Sequence, residues 1–161
     1  MTYLIQGLPP AAFAPLFALD DDALAARNAR RVTATADRGF PCRVSLIDAK
    51  AGEELILLHH TSHDVATPYR SAYAIYVRPG VPPATYRDQT PPVFEGRPLA
   101  LRAFDAAGML RTARLAGPGE ADAAIRDLFA DGDIAYIDAH NAAHGCFAAR
   151  IERDAAQRSG Q

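Results

Sequence analysis

Two apolar runs joined by four residues constrain this chain more than any other feature. They are Leu99 to Phe104 and Met109 to Leu115, linked by Asp105-Ala106-Ala107-Gly108. So short a link allows only an antiparallel hairpin. Further strand-like runs stand at Tyr3 to Ile5, Phe40 to Leu46, Leu55 to His60 and Ser71 to Arg78. In the second of these, alternation puts Cys42, Val44 and Leu46 on one face and Arg43 and Ser45 on the other. Strands mostly follow strands, which predicts an α+β domain with a mostly antiparallel sheet rather than a doubly wound parallel one.

The helices are few. Phe13, Leu16 and Phe17 share a face in a stretch opened by Pro9 and Pro10, and Asp20 is a good N-cap for a second short helix from Asp21 to about Asn28. That helix has Arg27, Arg30 and Arg31 near its negative end. Glu120 to Ala130 is amphipathic, with Ala121, Ala124, Ile125, Leu128 and Phe129 on one side. It precedes a C-terminal strand pair. Between Pro79 and Pro98 six prolines predict an excursion without regular structure, suited to a lid, a binding loop or a surface wrap.

With 161 residues, one domain over 1–153 and a polar tail over 154–161 are expected. A formal charge of -2 argues against a nucleic-acid binder. No apolar run is long enough to span a membrane, and the start of the chain lacks the basic residues of a signal peptide, so a cytoplasmic protein without a membrane partner is expected. All but one of the seventeen Lys and Arg residues are arginine, Lys50 being the exception, which fits codon bias better than a binding role. No Cys-x-x-Cys or His-Glu-x-x-His motif is present, so neither a metal nor another cofactor is expected. The pairs His59/His63 and His140/His144 have metal-ligand spacing only on a helix, and both fall near strand ends or turns. The sequence sets no oligomeric state.

Reactive side chains concentrate between Ile134 and Arg153. If Ile134 to His140 and Cys146 to Glu152 pair across Asn141 to Gly145, then Tyr136, Asp138, His140, Cys146 and Arg150 share a face. His140 then lies opposite Cys146, with β-carbons about 4.5–5.5 Å apart. An imidazole beside a thiol is the minimum arrangement for an activated nucleophile, with Asp138 to orient the ring. A helix from about Ala142 through Arg153 is the rival, at about 1 kcal/mol for Gly145. Cys146 also fits a structural thiol, or a bridge to Cys42. Near other strand ends, Arg43, Tyr69, Arg70 and Arg78 could line a pocket for a small anionic ligand, or make surface salt bridges.

The segments Gly7-Leu8-Pro9-Pro10, Phe40-Pro41-Cys42-Arg43-Val44-Ser45-Leu46-Ile47-Asp48-Ala49, Tyr69-Arg70 and Val77-Arg78 stand together with His140-Asn141-Ala142 and Gly145-Cys146-Phe147-Ala148-Ala149-Arg150. In that combination the chain resembles a bacterial family, domain of unknown function 1203, from about Ile5 to Arg153. The resemblance implies a compact single-domain bacterial protein and carries over no activity, cofactor or catalytic residue. Two functions therefore stand side by side. One is a small-molecule enzyme or redox protein using Cys146 and His140 with Asp138, in which Arg43 or Arg70 holds an anionic substrate. The other is a non-catalytic binding or assembly module with structural cysteines, whose partner meets the Pro79–Pro98 excursion.

Overall fold

In a computed structural model, which describes residues 1–157, every ladder between strands is antiparallel. The described residues form two sheets. The smaller holds β2 (Ala29–Thr33), β3 (Glu54–His63) and β4 (Ser71–Val77), in that order. The larger holds β1 (Tyr3–Gln6), β5 (Thr85–Arg87), β6 (Leu99–Phe104), β7 (Leu110–Ala116), β8 (Tyr136–Asn141) and β9 (Phe147–Arg153). Its spatial order is β5-β1-β9-β8-β6-β7. The protein is a single α+β domain with mostly antiparallel sheets and few helices.

Two apolar clusters follow from this layering. Helix α2 (Ala121–Phe129) lays Ala124, Ile125, Leu128 and Phe129 on one face of the large sheet, against Leu101, Ile137, Ala139, Ala149 and Ile151. A second cluster joins the small sheet to the N-terminal segment through Phe13, Leu24, Ile56, Ile75 and Val77. Phe147 belongs to this second cluster although Ala148 and Ala149, its neighbours along β9, belong to the first. That sharing of one strand between two cores positions the site.

The 99–116 hairpin, the amphipathic helix and the C-terminal strand pair form as the patterns predict, and Asp20 caps α1 (Asp21–Ala25) by accepting from Ala23 N at 2.8 Å. Other expectations are corrected. The helix after Asp20 ends at Ala25, and Asn28, at φ 55°, turns the chain so that Arg30 and Arg31 lie in β2 instead of at a helix end. The stretch opened by Pro9 folds as two 3-10 turns, Pro10–Ala12 and Ala14–Ala18. Within the Pro79–Pro98 excursion, β5 extends the large sheet and a 3-10 turn, Pro92–Phe94, buries Val93 and Phe94.

Phe40–Leu46 is not a strand. Leu46 N donates to Cys42 O at 3.0 Å, Leu46 takes a left-handed φ of 54°, and isolated bridges hold Pro41 to Asp48 and Cys42 to Tyr76. Cys42, Arg43, Val44 and Leu46 are all buried, so a tight turn that buries residues from both alternating sets replaces the half-buried strand that alternation suggests. The chain also stays tied at Asp154, whose N donates to Thr2 O and whose carboxylate pairs with Arg87; of the polar tail expected over 154–161, residues 158–161 lie outside the described residues.

Candidate functional site

The β8–β9 hairpin closes with Asn141 N donating to Cys146 O at 2.9 Å and Gly145 N donating to Asn141 O at 2.8 Å. Gly145 sits at φ 78°, which suits a residue without a side chain. The ladder runs evenly to Ala139↔Ala149 and then shifts, so that His140 pairs with Phe147 and Ala148 is the extra residue of a bulge. The expected register, with His140 opposite Cys146, is corrected by this one residue. Asn141 faces Cys146 instead.

None of the three residues expected to work together hydrogen-bonds another of them. His140 Nδ1 bonds the carbonyl of Gly145 at 2.9 Å, so that nitrogen carries the proton, and the ring meets Phe147 edge-on at 5.9 Å. Asp138, wholly buried, accepts both Arg150 Nε at 2.7 Å and Arg150 Nη2 at 2.8 Å. Cys146 Sγ accepts from Arg43 Nη2 at 3.2 Å and from Asn141 Nδ2 at 3.3 Å.

Arg43 is the unusual member. It is 3% exposed, and its guanidinium is held by donation from Nε to Phe147 O at 2.7 Å and from Nη1 to Pro41 O. Its backbone is fixed as well, with N donating to Tyr76 O and O accepting from Leu8 N. No carboxylate pairs with it among the described residues. Burial pulls its pKa below the ordinary arginine value, opposed by the neighbouring sulfur of Cys146. The contact opens on a cavity of about 570 Å³ whose walls include Pro41, Leu57, Tyr76, Pro98, Asn141 and Cys146. Asn141 Oδ1 is buried there without a hydrogen-bond partner among the described residues.

A second basin of about 330 Å³ lies alongside, lined by Ser62, Arg70, Ser71, Arg102, His140 and His144. Tyr73 and His144 border both. Arg43 and Arg70, expected in one anionic pocket, are thus in separate cavities, and Tyr69 lines neither. Its carbonyl accepts from His63 Nδ1 at 2.8 Å and its ring meets Phe104 edge-on. Arg78 is occupied by Glu53 and Ser45.

Several participants escape sequence reasoning. Asn141 reads there as a turn residue, Arg102 as one of many arginines, and His63 as half of a metal pair. His63 is instead buried between Tyr69 O and the hydroxyl of Tyr136, which donates to Nε2 at 2.7 Å, and it lies over Phe104. Only an alternation argument could flag Arg102, as a polar residue on an otherwise apolar central strand. No three His, Cys, Asp or Glu side chains converge as metal ligands among the described residues, and both cysteines are free. No helix of the described residues is long and apolar enough to cross a membrane.

Comparison with known proteins gives one match. A family model described as protein of unknown function (DUF1203) covers residues 39–153, from the turn that carries Arg43 to the end of β9. No curated protein and no solved structure matches the chain.

Proposed function

The chain belongs to the DUF1203 family of proteins of unknown function, and from that premise we propose that it binds a small molecule in the 570 Å³ cavity and acts on it through the Cys146 sulfur. The observation that carries this reading is the contact between buried Arg43 and Cys146 Sγ at 3.2 Å. A guanidinium keeps its proton in proteins, and an isolated buried charge is costly unless a partner offsets it. Arg43's other acceptors are backbone carbonyls, so among the described residues the Cys146 sulfur is the one side-chain acceptor its guanidinium has. Asn141 Nδ2 donates to the same atom, so the sulfur accepts twice, the polarity a nucleophilic sulfur has.

In this reading Arg43 does the work that sequence spacing suggests for His140, while Asp138 holds Arg150. The same donors can also grip the anionic or carbonyl oxygen of a ligand that approaches the sulfur. Free thiols on both cysteines support a reducing, cytoplasmic setting. The net charge of -2 supports small-molecule rather than nucleic-acid partners. Cys42 fits a structural role, being wholly buried with its sulfur accepting backbone N–H groups of Ser45 and Arg78.

Alkylation by iodoacetamide at neutral pH, read by intact mass and peptide mapping, tests the reading. Cys146 is expected to react about tenfold faster than a free reference thiol, and Arg43→Met, checked for folding by circular dichroism, to remove the advantage. Reaction no faster than the free thiol would instead leave the non-catalytic module, with Cys146 as a latch between the 42–46 turn and the hairpin.

A further inference from the structure

We infer that the smaller basin, beside the thiol cavity but separate from it, binds a free oxyanion that retains one hydroxyl at neutral pH, with hydrogen phosphate as its representative.

The charge of the basin favours an anion. Arg102, Asp138 and Arg150 are cross-strand neighbours on β6, β8 and β9, so one carboxylate stands between two guanidinium groups. Asp138 spends both oxygens on Arg150. Arg102 has no hydrogen-bond or ion-pair partner among the described residues, and it lines the basin. Arg70 adds a second guanidinium, and its partner Asp64 is 76% exposed, a pair that solvent weakens. The acids facing this group, Asp138 and Asp64, are therefore committed or exposed, and the basin carries a positive excess. Two guanidinium groups and the Ser62 hydroxyl are the donors that an oxyanion needs, while the Ser71 hydroxyl donates to Tyr69 O at 2.9 Å.

Hydrogen-bond polarity narrows the class of anion. His140 is 4% exposed and forms part of the basin wall. Burial pulls its pKa below the ordinary histidine value; the bond to Gly145 opposes this and the nearby Arg102 adds to it. A neutral ring whose Nδ1–H is given to Gly145 presents Nε2 as an acceptor, and Nε2 has no partner among the described residues. A ligand that satisfies it must bring its own donor. Hydrogen phosphate brings a P–OH. Sulfate has none at neutral pH, and a phosphate monoester, with a second pKa near about 6, has largely lost its own.

The test is calorimetric titration of the full chain with inorganic phosphate, sulfate and glycerol phosphate at neutral pH. Phosphate is expected to bind at one site, and the other two about tenfold or more weakly. Arg102→Met is expected to weaken phosphate by about tenfold or more, with an unchanged melting temperature and an unchanged rate of Cys146 alkylation. The alkylation rate keeps failure of this inference distinct from failure of the thiol reading. The inference is overturned by absence of saturable phosphate binding, by sulfate or the ester binding as tightly as phosphate, or by full affinity in Arg102→Met.

Discussion

At the scale of single residues, two arginines show how burial assigns a role that residue type does not. Arg150 has Asp138 as a bidentate partner, and its guanidinium also lies over the Tyr136 ring at 4.4 Å. Arg43 has only carbonyls, a sulfur and its own fixed backbone. Removing one member of a buried pair strands the other. Asp138→Asn is accordingly expected to lower stability by about 3 kcal/mol, the lower end for such a pair because Arg150 keeps part of its contact with water. Urea denaturation measures this, and a midpoint equal to wild type would show that the pair contributes nothing.

Among elements, the 42–46 turn and the bulged end of β9 matter most, because each sets the position of one partner in the Arg43–Cys146 contact. Gly7 holds the turn in place. Gly7 N donates to Ala84 O, Leu8 N donates to Arg43 O, and a β-carbon on residue 7 would come within 1.8 Å of Val44 O. Gly7→Ala therefore forces the turn to move. The expected cost is about 1–3 kcal/mol or more, and Arg43 is expected to shift with the turn. Guanidinium denaturation combined with the alkylation rate of Cys146 reads both effects; wild-type values for both would disconnect Gly7 from the site. The hairpin itself is legible from alternation and the Asn141–Gly145 turn signals. Its register is not, since Ala148 differs in no local respect from Ala149, and the bulge arises because Phe147 is drawn into the second core while Ala148 and Ala149 remain in the first.

On the scale of the whole molecule, stability should respond to acid through two histidines on different elements. His60 on β3 has its pKa lowered by burial first, then by the charges of Arg43 and His59; His140 on β8 is lowered chiefly by burial. An unfolded histidine titrates near about 6.5. Below that pH the unfolded chain takes up protons that the folded protein refuses, so stability is fully present above the unfolded value and is lost as pH falls through the folded ones. Scanning calorimetry is expected to give a lower melting temperature near about pH 5 than near about pH 7.5, with a shallower fall in His60→Gln. A rising melting temperature on acidification would contradict the assignment.

From the sequence alone came the class of the fold, the clearest hairpin, the amphipathic helix, the cap at Asp20 and the C-terminal strand pair. Each rests on a period or a capping rule that acts over a few residues. Tertiary structure alone decided which side chains meet. Arg43 and Cys146 are 103 residues apart and His63 and Tyr136 are 73 apart, and no local pattern ties either pair together. The alternation of Phe40–Leu46 misleads for the same reason: a segment that sends Cys42 and Val44 into one core and Leu46 into the other obeys its neighbours, not its own period. The physical cause is that periodicity reports where water lies relative to an element, while a site depends on which elements share a boundary away from water.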